Sequence, residues 1–160
     1  MTDAEFRQCA ERYGDTIFRV AFHSLKNRAD AEDVMQTVLL RLYECQKPFE
    51  NEDHVKHWLI RVAVNESRKL LRSFWRRNRL SLDEQTDQPV FDQPEQSDLF
   101  EAVMALPEKY RLAVYLYYYE DYPVRDIAEA LHTNQSTVQT WLMRARQRLR
   151  DQLTPEGELT

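Results

Sequence analysis

The sequence has 160 residues, of which 42% are hydrophobic and 31% are charged, with a net charge of −5. This balance excludes wholesale disorder, and the length accommodates one domain or two very small ones. The two glycines exclude Gly-rich phosphate loops and the many tight turns of an all-β protein, so we expect an all-α fold. The first twelve residues carry no apolar signal sequence and no run is long enough to span a membrane, which predicts a cytoplasmic protein without membrane insertion.

Three helices are predicted in the first half of the chain. The first covers residues 3–25, where apolar residues recur every three or four positions. The second is predicted to have Asp30 as its cap and Asp33 in its first turn, and to end at Pro48. The third follows residues 51–53 and ends near Arg77. The expected buried residues are Phe6, Cys9, Tyr13, Ile17 and Val20 in the first helix, Val34, Val38 and Leu42 in the second, and Val55, Trp58, Leu59, Val62 and Leu70 in the third.

Charge is distributed unevenly along the chain. Residues 81–107 contain seven acidic and no basic residues, whereas the blocks on either side are slightly basic. Residues 81–94 combine Gln, Asp, Pro and Ser without a helical repeat, which predicts a flexible acidic linker between two domains. The third helix is predicted to carry a cationic patch opposed in sequence by Glu66 alone, formed by Arg61, Arg68, Lys69, Arg72, Arg76, Arg77 and Arg79.

The second half of the chain predicts two scaffold helices followed by a helix-turn-helix. The scaffold residues are Leu99, Val103 and Leu106 before Pro107, and Tyr110, Val114 and Tyr117 after it. Pro123 begins a short helix that faces Ile127 and Leu131 inward, with Ala128 small enough for another helix to cross. Residues 132–134 form the turn, and either Asn134 or Ser136 can cap the next helix. That helix has a predicted buried stripe of Val138, Leu142, Ala145 and Leu149.

The outer face of the last helix has the chemistry of a DNA reader. Gln and Arg side chains form bidentate hydrogen bonds with adenine and guanine edges in the major groove. The predicted base-reading face contains Gln135, Ser136, Gln139, Thr140, Met143 and Arg144. Arg146, Arg148 and Arg150 are expected to contact phosphates, which positions the helix without specifying sequence.

Motifs in both halves resemble those of extracytoplasmic-function sigma factors. Residues 106–111, 126–131 and 136–150 resemble the fourth conserved region of that family, and residues 29–42, 58–65 and 68–72 resemble the second. The resemblance implies a region 2 three-helix domain at residues 1–80 and a region 4 four-helix domain with the helix-turn-helix at residues 95–153. The acidic linker at residues 81–94 joins them, and a disordered tail occupies residues 154–160.

By this resemblance, the chain is a promoter-recognition subunit that binds the core of bacterial RNA polymerase, without catalytic activity, cofactor or metal. Region 4 then reads the minus-thirty-five promoter element through Gln135, Ser136, Thr137, Gln139, Thr140, Met143 and Arg144. Region 2 reads and melts the minus-ten element through Arg61, Asn65 and Arg68, with Phe49, Asn51 and His54 in a loop that holds an unstacked base. The implied polymerase contacts are Asp30, Glu32, Asp33, Gln36 and Arg41. A cognate anti-sigma factor is the other expected partner.

The sequence departs from the family pattern in the helix-turn-helix. His132 stands where the family often has glycine, and Gln139 and Trp141 stand where basic residues are usual. Promoter preference therefore does not transfer from the family. Trp141 either packs on the scaffold or lies against DNA, and the acidic linker either threads the polymerase cleft or serves as a tether.

Other functions are also compatible with parts of the sequence. The main alternative is a free-standing helix-turn-helix regulator that binds operator DNA without polymerase, normally as a symmetric dimer. An enzyme would have to use Asp30, Glu32 and Asp33, and a metal site would use Cys45, His54 and His57. Residues 115–119 include four tyrosines, which form either a base-stacking platform or, as we expect, part of the core.

Overall fold

The computed structural model describes residues 1–78 and 97–153. The predicted linker at residues 81–94 and the tail at residues 154–160 lie outside the described residues, as does Arg79. Within the described ranges the fold is all-α, as predicted, and no strand is present. These residues fall into two compact units, with the division between residues 80 and 81.

The first unit begins with helix α1, Asp3–Leu25. Thr2 caps it by accepting a hydrogen bond from the Glu5 backbone N–H, while the Glu5 carboxylate accepts one from the Thr2 N–H. The helix ends where Lys26 adopts a left-handed conformation, with φ 56°. Its buried side includes Tyr13, Ile17 and Val20, as the periodicity predicts, whereas Phe6 and Cys9 are half-buried.

Helix α2, Arg28–Glu44, has a different cap from the predicted one. Asn27, in an extended backbone conformation, accepts a hydrogen bond from the Asp30 N–H at 2.9 Å. Asp30 is therefore the third residue of the helix, where a carboxylate complements the positive end of the helix dipole instead of capping it. The helix also ends at Glu44, before the predicted stop at Pro48.

Helix α3, Glu52–Asn78, packs against both α1 and α2 and completes a three-helix unit. Leu59, Ile60 and Val64 are at most 1% exposed. The prediction that Leu70 is buried is wrong, because Leu71 occupies the core position one turn beyond the buried Ser67, and Leu70 is half-buried. Val55 and Trp58 are also half-buried.

The second unit contains helices α4, Asp98–Met104, and α5, Glu108–Val114, with α5 continuing into a π-helical segment, Tyr115–Tyr119. Helices α6, Val124–Ala130, and α7, Gln135–Leu153, follow. Helix α7 packs against α4, α5 and α6. The core of the second unit includes Leu112, Leu116, Ile127 and Val138, each fully buried. Leu149, expected in the same stripe of α7, is half-buried.

Buried Arg111 anchors the turn between α4 and α5. Its guanidinium donates a hydrogen bond to the Leu106 carbonyl oxygen at 2.6 Å. Burial lowers the pKa of Arg111 to about 10, against a smaller opposing effect of the nearby Glu108 carboxylate. The side chain therefore keeps its charge at neutral pH and serves as a donor to the turn.

The predicted core placement is wrong for three of the four tyrosines of residues 115–119, and the scaffold residue Leu99 is exposed. Leu99, in the first turn of the short α4, is 54% exposed, and Ala102, Met104 and Leu106 take the buried positions. In the π-helical segment Tyr115 is buried, whereas three side chains are exposed: Tyr117 by 37%, Tyr118 by 54% and Tyr119 by 57%. A π-helical turn contains an extra residue, so it shifts the phase of the apolar stripe at Tyr117, which α-helical spacing from Tyr110 and Val114 predicts to be buried. Leu116, four residues after the buried Leu112, lies in the core.

Candidate nucleic-acid interface

Helices α6 and α7 form the predicted helix-turn-helix. The two helices pack against each other, and Ile127 and Val138 are fully buried while Ala128 is 4% exposed. The turn between them places His132 in the left-handed region, with φ 58°, at the position where the family often has glycine. Histidine adopts this conformation more readily than branched residues do, although it lacks the freedom of glycine. The departure in sequence therefore leaves the turn itself intact.

Asn134, one of the two predicted caps, begins helix α7. Its side-chain oxygen accepts a hydrogen bond from the Thr137 N–H at 2.8 Å. Its backbone carbonyl accepts the first helical bond, from the Val138 N–H, at 3.1 Å. Asn134 thus provides a partner for the Thr137 N–H, one of the backbone donors that have no acceptor within the first turn. Ser136 is not the cap, because it lies inside the helix with an exposed side chain.

The predicted base-reading side chains lie on the solvent side of α7. The helix turns Val138, Leu142 and Ala145 into the core, which leaves the opposite side accessible. Thr137 and Thr140 are half-buried at its margins. The fully exposed members are Gln135, Ser136, Gln139, Met143 and Arg144, with Met143 56% exposed.

Both flanks of α7 are held by the scaffold. Trp141 is half-buried, and the Lys109 ammonium of α5 lies 5.6 Å from its ring centroid, so this tryptophan packs on the scaffold. Arg148, predicted as a phosphate contact, places its guanidinium 5.2 Å from the ring centroid of Tyr110. On the other flank Arg146 donates a hydrogen bond to the Tyr118 hydroxyl at 3.0 Å. Both arginines therefore have partners in the scaffold, which the sequence analysis does not predict.

In the first unit, the predicted minus-ten residues lie along one side of α3. Asn65 is exposed, and Arg61 and Arg68 are half-buried. Their spacing of three and four residues places them on one face, which continues through Arg72 and Arg76. Glu66, the acid predicted to oppose these cations, forms an ion pair with Arg41 of α2 at 2.9 Å.

Phe49, in the loop before α3, forms a cluster with His54 and Trp58 of the first turns of α3, which we call the aromatic loop cluster. The Phe49 ring centroid lies 5.2 Å from that of His54 and 5.6 Å from that of Trp58, and both contacts are edge-on. Asn51 is exposed and caps the start of the helix, accepting a hydrogen bond from the His54 N–H at 2.9 Å. The His54 ring in turn accepts one from the Glu50 N–H at 3.0 Å.

Trp58 is the member of this cluster that sequence reasoning assigned to the core. It follows His54 by four residues and precedes Arg61 by three, so the spacing alone could have placed it on the same outer face. The structure thus brings Phe49, His54 and Trp58 together at the end of the cationic side of α3.

The predicted polymerase contacts lie on α2, and their environments differ. Glu32, Asp33 and Gln36 are exposed. Asp30 is half-buried, and desolvation, followed by the nearby Asp33 carboxylate, raises the pKa of its side chain. Arg41, about half exposed, is the partner of Glu66 in α3 and so also joins the two helices. Leu40, which the sequence did not single out, is 57% exposed one turn beyond Gln36.

Two residues of the alternative metal site have contacts close by in the sequence. The His57 ring donates a hydrogen bond to the Asp53 carbonyl oxygen at 2.7 Å, and the Cys45 thiol lies 3.7 Å from the Lys47 carbonyl oxygen. Among residues 1–78 and 97–153, no three His, Cys, Asp or Glu side chains are grouped as a metal site requires. Within the same ranges, every helix is too short or too polar to cross a membrane.

Comparison with known proteins identifies the two units. The family model for Sigma-70 region 2 matches residues 9–77, and that for Sigma-70 region 4 matches residues 96–149. The RNA polymerase sigma factor SigV of Bacillus subtilis is 29% identical over 97% of this chain and 95% of that protein. The ECF RNA polymerase sigma factor SigE of Mycolicibacterium smegmatis is 28% identical over 96% of this chain and 63% of its own length.

A solved structure shares the fold. The sigma factor RpoE of Bartonella quintana, determined in complex with the anti-sigma factor NepR, gives a TM-score of 0.79 at 24% identity, over 95% of this chain and 98% of that chain. The two family models match in the order that the sequence motifs predict and together cover more than half of the chain. The chain therefore belongs to the sigma-70 family, among its extracytoplasmic-function sigma factors.

Proposed function

We propose that this chain binds core bacterial RNA polymerase and directs it to specific promoters. The observation that carries the proposal is the presence, in family order, of two helical units that each expose a face suited to nucleic acid. The chain supplies recognition instead of catalysis, requires no cofactor, and works in the cytoplasm, where the polymerase transcribes. Residues 1–80 and 95–153 are the proposed domains, connected by residues 81–94.

The second unit reads the minus-thirty-five element. Helix α7 enters the major groove with its exposed side, so that Gln139 and Arg144 reach base edges and Met143 makes an apolar contact. Gln135, Ser136, Thr137 and Thr140 border this face. The scaffold contacts of Trp141 and Arg146 hold the angle of the helix. Because the recognition helix is supported on both flanks, its base contacts are preorganised before DNA binds.

The first unit reads and opens the minus-ten element. The arginines of α3 attract the backbone, and Asn65 offers an exposed amide to a base. The aromatic loop cluster, with the exposed Asn51 amide beside it, accepts a base that has left the duplex. Stacking on aromatic rings and hydrogen bonds to a flipped base compensate the cost of unstacking it.

Helix α2 provides the polymerase-binding face. The exposed polar side chains of Glu32, Asp33 and Gln36 surround a surface to which Leu40 adds apolar area. Interfaces of this kind combine an apolar centre with a polar rim. Asp30 and Arg41 lie at the edge, where each is also engaged within the unit. We further propose an anti-sigma factor as a partner, by analogy with the RpoE complex.

Reconstituted transcription tests this function. Core polymerase with this protein, supplied with a pool of genomic fragments, should initiate at a small set of promoters that core enzyme alone ignores. Gln139→Ala or Arg144→Ala should weaken discrimination at single minus-thirty-five positions by about 1–3 kcal/mol. Gln152→Ala is the matched control, since Gln152 is an exposed glutamine in the last turn of the same helix, and it should leave promoter choice unchanged.

Binding in the absence of polymerase separates the proposal from a free-standing regulator. The purified protein should bind promoter fragments weakly and with strong dependence on salt, because phosphate contacts dominate, and specific binding should appear when core enzyme is added. Tight, sequence-specific binding by a dimer of the protein alone would establish the regulator instead.

A further inference from the structure

We infer that Tyr13 of α1 is a positioning residue for minus-ten recognition. Through Glu52 it holds the start of α3, and with it the aromatic loop cluster, in the geometry that accepts an unstacked base. The inference rests on the proposed function of the loop, and it assigns a promoter-selective role to a helix on which no predicted contact lies.

The contact itself joins two helices far apart in sequence. The Tyr13 hydroxyl donates a hydrogen bond to the Glu52 carboxylate at 2.8 Å, and the Arg12 guanidinium contacts the same oxygen. Tyr13 is 9% exposed, so its ring is anchored in the core of the unit while its hydroxyl reaches the edge of α3. A hydrogen bond to an ionised acceptor is stronger than one between neutral groups.

Glu52 is connected to the aromatic loop cluster through its neighbour Asn51. It is the first residue of α3 and follows Asn51, whose side chain caps the helix through the His54 N–H. His54 in turn accepts the hydrogen bond from the Glu50 N–H and lies against Phe49. A displacement of Glu52 therefore changes the cap and the position of the His54 ring together.

The two α1 side chains do not contribute equally. The Arg12 and Glu52 side chains are 62% and 65% exposed, and an ion pair between exposed groups contributes little. The Tyr13 hydroxyl approaches the same carboxylate from the buried side. Removing that hydroxyl should therefore have a larger effect than removing the Arg12 charge.

The test is initiation by full-length protein with core polymerase on a template library randomised across the minus-ten element. In Tyr13→Phe the ring remains and the hydroxyl is lost. We expect preference for the favoured base at one or more minus-ten positions to fall about three- to tenfold, the equivalent of one net hydrogen bond. Affinity for core polymerase and dependence on the minus-thirty-five element should stay within about twofold of wild type.

Glu52→Ala should reproduce the change in base preference. Tyr13→Phe should cause no further change in the Glu52→Ala background, because both substitutions remove the same hydrogen bond. Arg12→Gln should change the preference less than about twofold. Tyr43→Phe is the matched control, because its hydroxyl lies 3.3 Å from an Asp3 carboxylate oxygen and so joins α2 to α1. It should leave base preference unaltered.

Two results would overturn the inference while leaving the proposed function intact. One is wild-type base preference in Tyr13→Phe; the other is a uniform loss of transcription on every minus-ten sequence, as a purely structural residue would give. Failure of the wild-type protein to direct initiation would refute the proposed function itself.

Discussion

Substitutions of Asn134, which caps α7, should change the stability of the second unit and its binding to DNA independently. Asn134→Ala removes the hydrogen bond from the Thr137 N–H, 2.8 Å long in the structure, and leaves that amide to solvent. Loss of such a cap costs about 1 kcal/mol, roughly a fivefold change in the unfolding equilibrium. In a domain of this size we expect the melting temperature of the second unit to fall by about 4–8 °C.

Asn134→Asp should preserve stability but weaken binding to promoter DNA. The carboxylate still accepts the hydrogen bond, and its charge complements the positive end of α7, so stability should be equal to or up to about 1 kcal/mol above wild type. The same charge lies at the end of α7 that carries Gln135 and Ser136, where it should repel the DNA backbone. Binding of the holoenzyme to promoters should therefore weaken in the more stable of the two variants.

NMR spectra recorded against temperature can follow the second unit by itself, since it contains Trp141 while Trp58 and Trp75 belong to the first. The matched control is Ser136→Ala, at the other position that the sequence allowed as a cap, and it should change stability by less than about 0.5 kcal/mol. The reasoning is refuted if Ser136→Ala destabilises the second unit as much as Asn134→Ala, or if Asn134→Ala has the same melting temperature as wild type.

Three further predictions concern the first unit. Gly14 lies inside α1 with open space where a Cβ would stand, so Gly14→Ala should raise its stability by about 0.5–1 kcal/mol in denaturant titrations, and no gain would contradict this. A double-mutant cycle of Arg41→Gln and Glu66→Gln should give a coupling of about 0.5–1 kcal/mol, because Glu66 is only 14% exposed, whereas additivity would show that the pair contributes nothing. Burial, and then the Glu52 carboxylate, raise the pKa of Tyr13 to about 12 from 10.0. Because the pKa is higher in the folded state, the protonated Tyr13 contributes its full stabilisation below pH 10.0, and this contribution is lost as the pH approaches about 12. The difference in unfolding free energy between wild type and Tyr13→Phe should thus be constant from about pH 7 to 9 and shrink above 10. A constant difference up to about pH 12 would be inconsistent with the contact.

Local periodicity was sufficient to predict the helices and the helix-turn-helix. Residues such as Val38, Leu42 and Val138 repeat at helical spacing, and each is fully buried. Asn134 and Ser136 are the two predicted caps of α7, and in the structure Asn134 is the cap. Spacing is misleading where the type of helix changes, as in the π-helical segment, where an additional residue per turn shifts the apolar stripe and Tyr117 is exposed.

The cap of α2 shows a second limit of prediction from local sequence. Asn27 and Asp30 both have side chains that accept the hydrogen bond of a cap, and both precede an apolar stripe. Propensity alone cannot choose between them, because the choice depends on where α1 ends and the chain reverses. Lys26 adopts the left-handed conformation that terminates α1, which leaves Asn27 extended and in register to cap α2.

Tertiary ion pairs and hydrogen bonds account for the part of the site that no local pattern predicts. Between residues 61 and 77 the sequence sets six basic residues against Glu66, and that acid pairs with Arg41 of α2 in the structure. Likewise Glu52, an ordinary acid for a first helical turn, is the partner of Tyr13, 39 residues away. In both cases an acidic residue of α3 is matched by a neighbouring helix on which the sequence reveals no such role. The proposed DNA-binding surface is consequently a property of the three packed helices, and α3 as an isolated peptide should bind promoter DNA with salt dependence but without minus-ten preference.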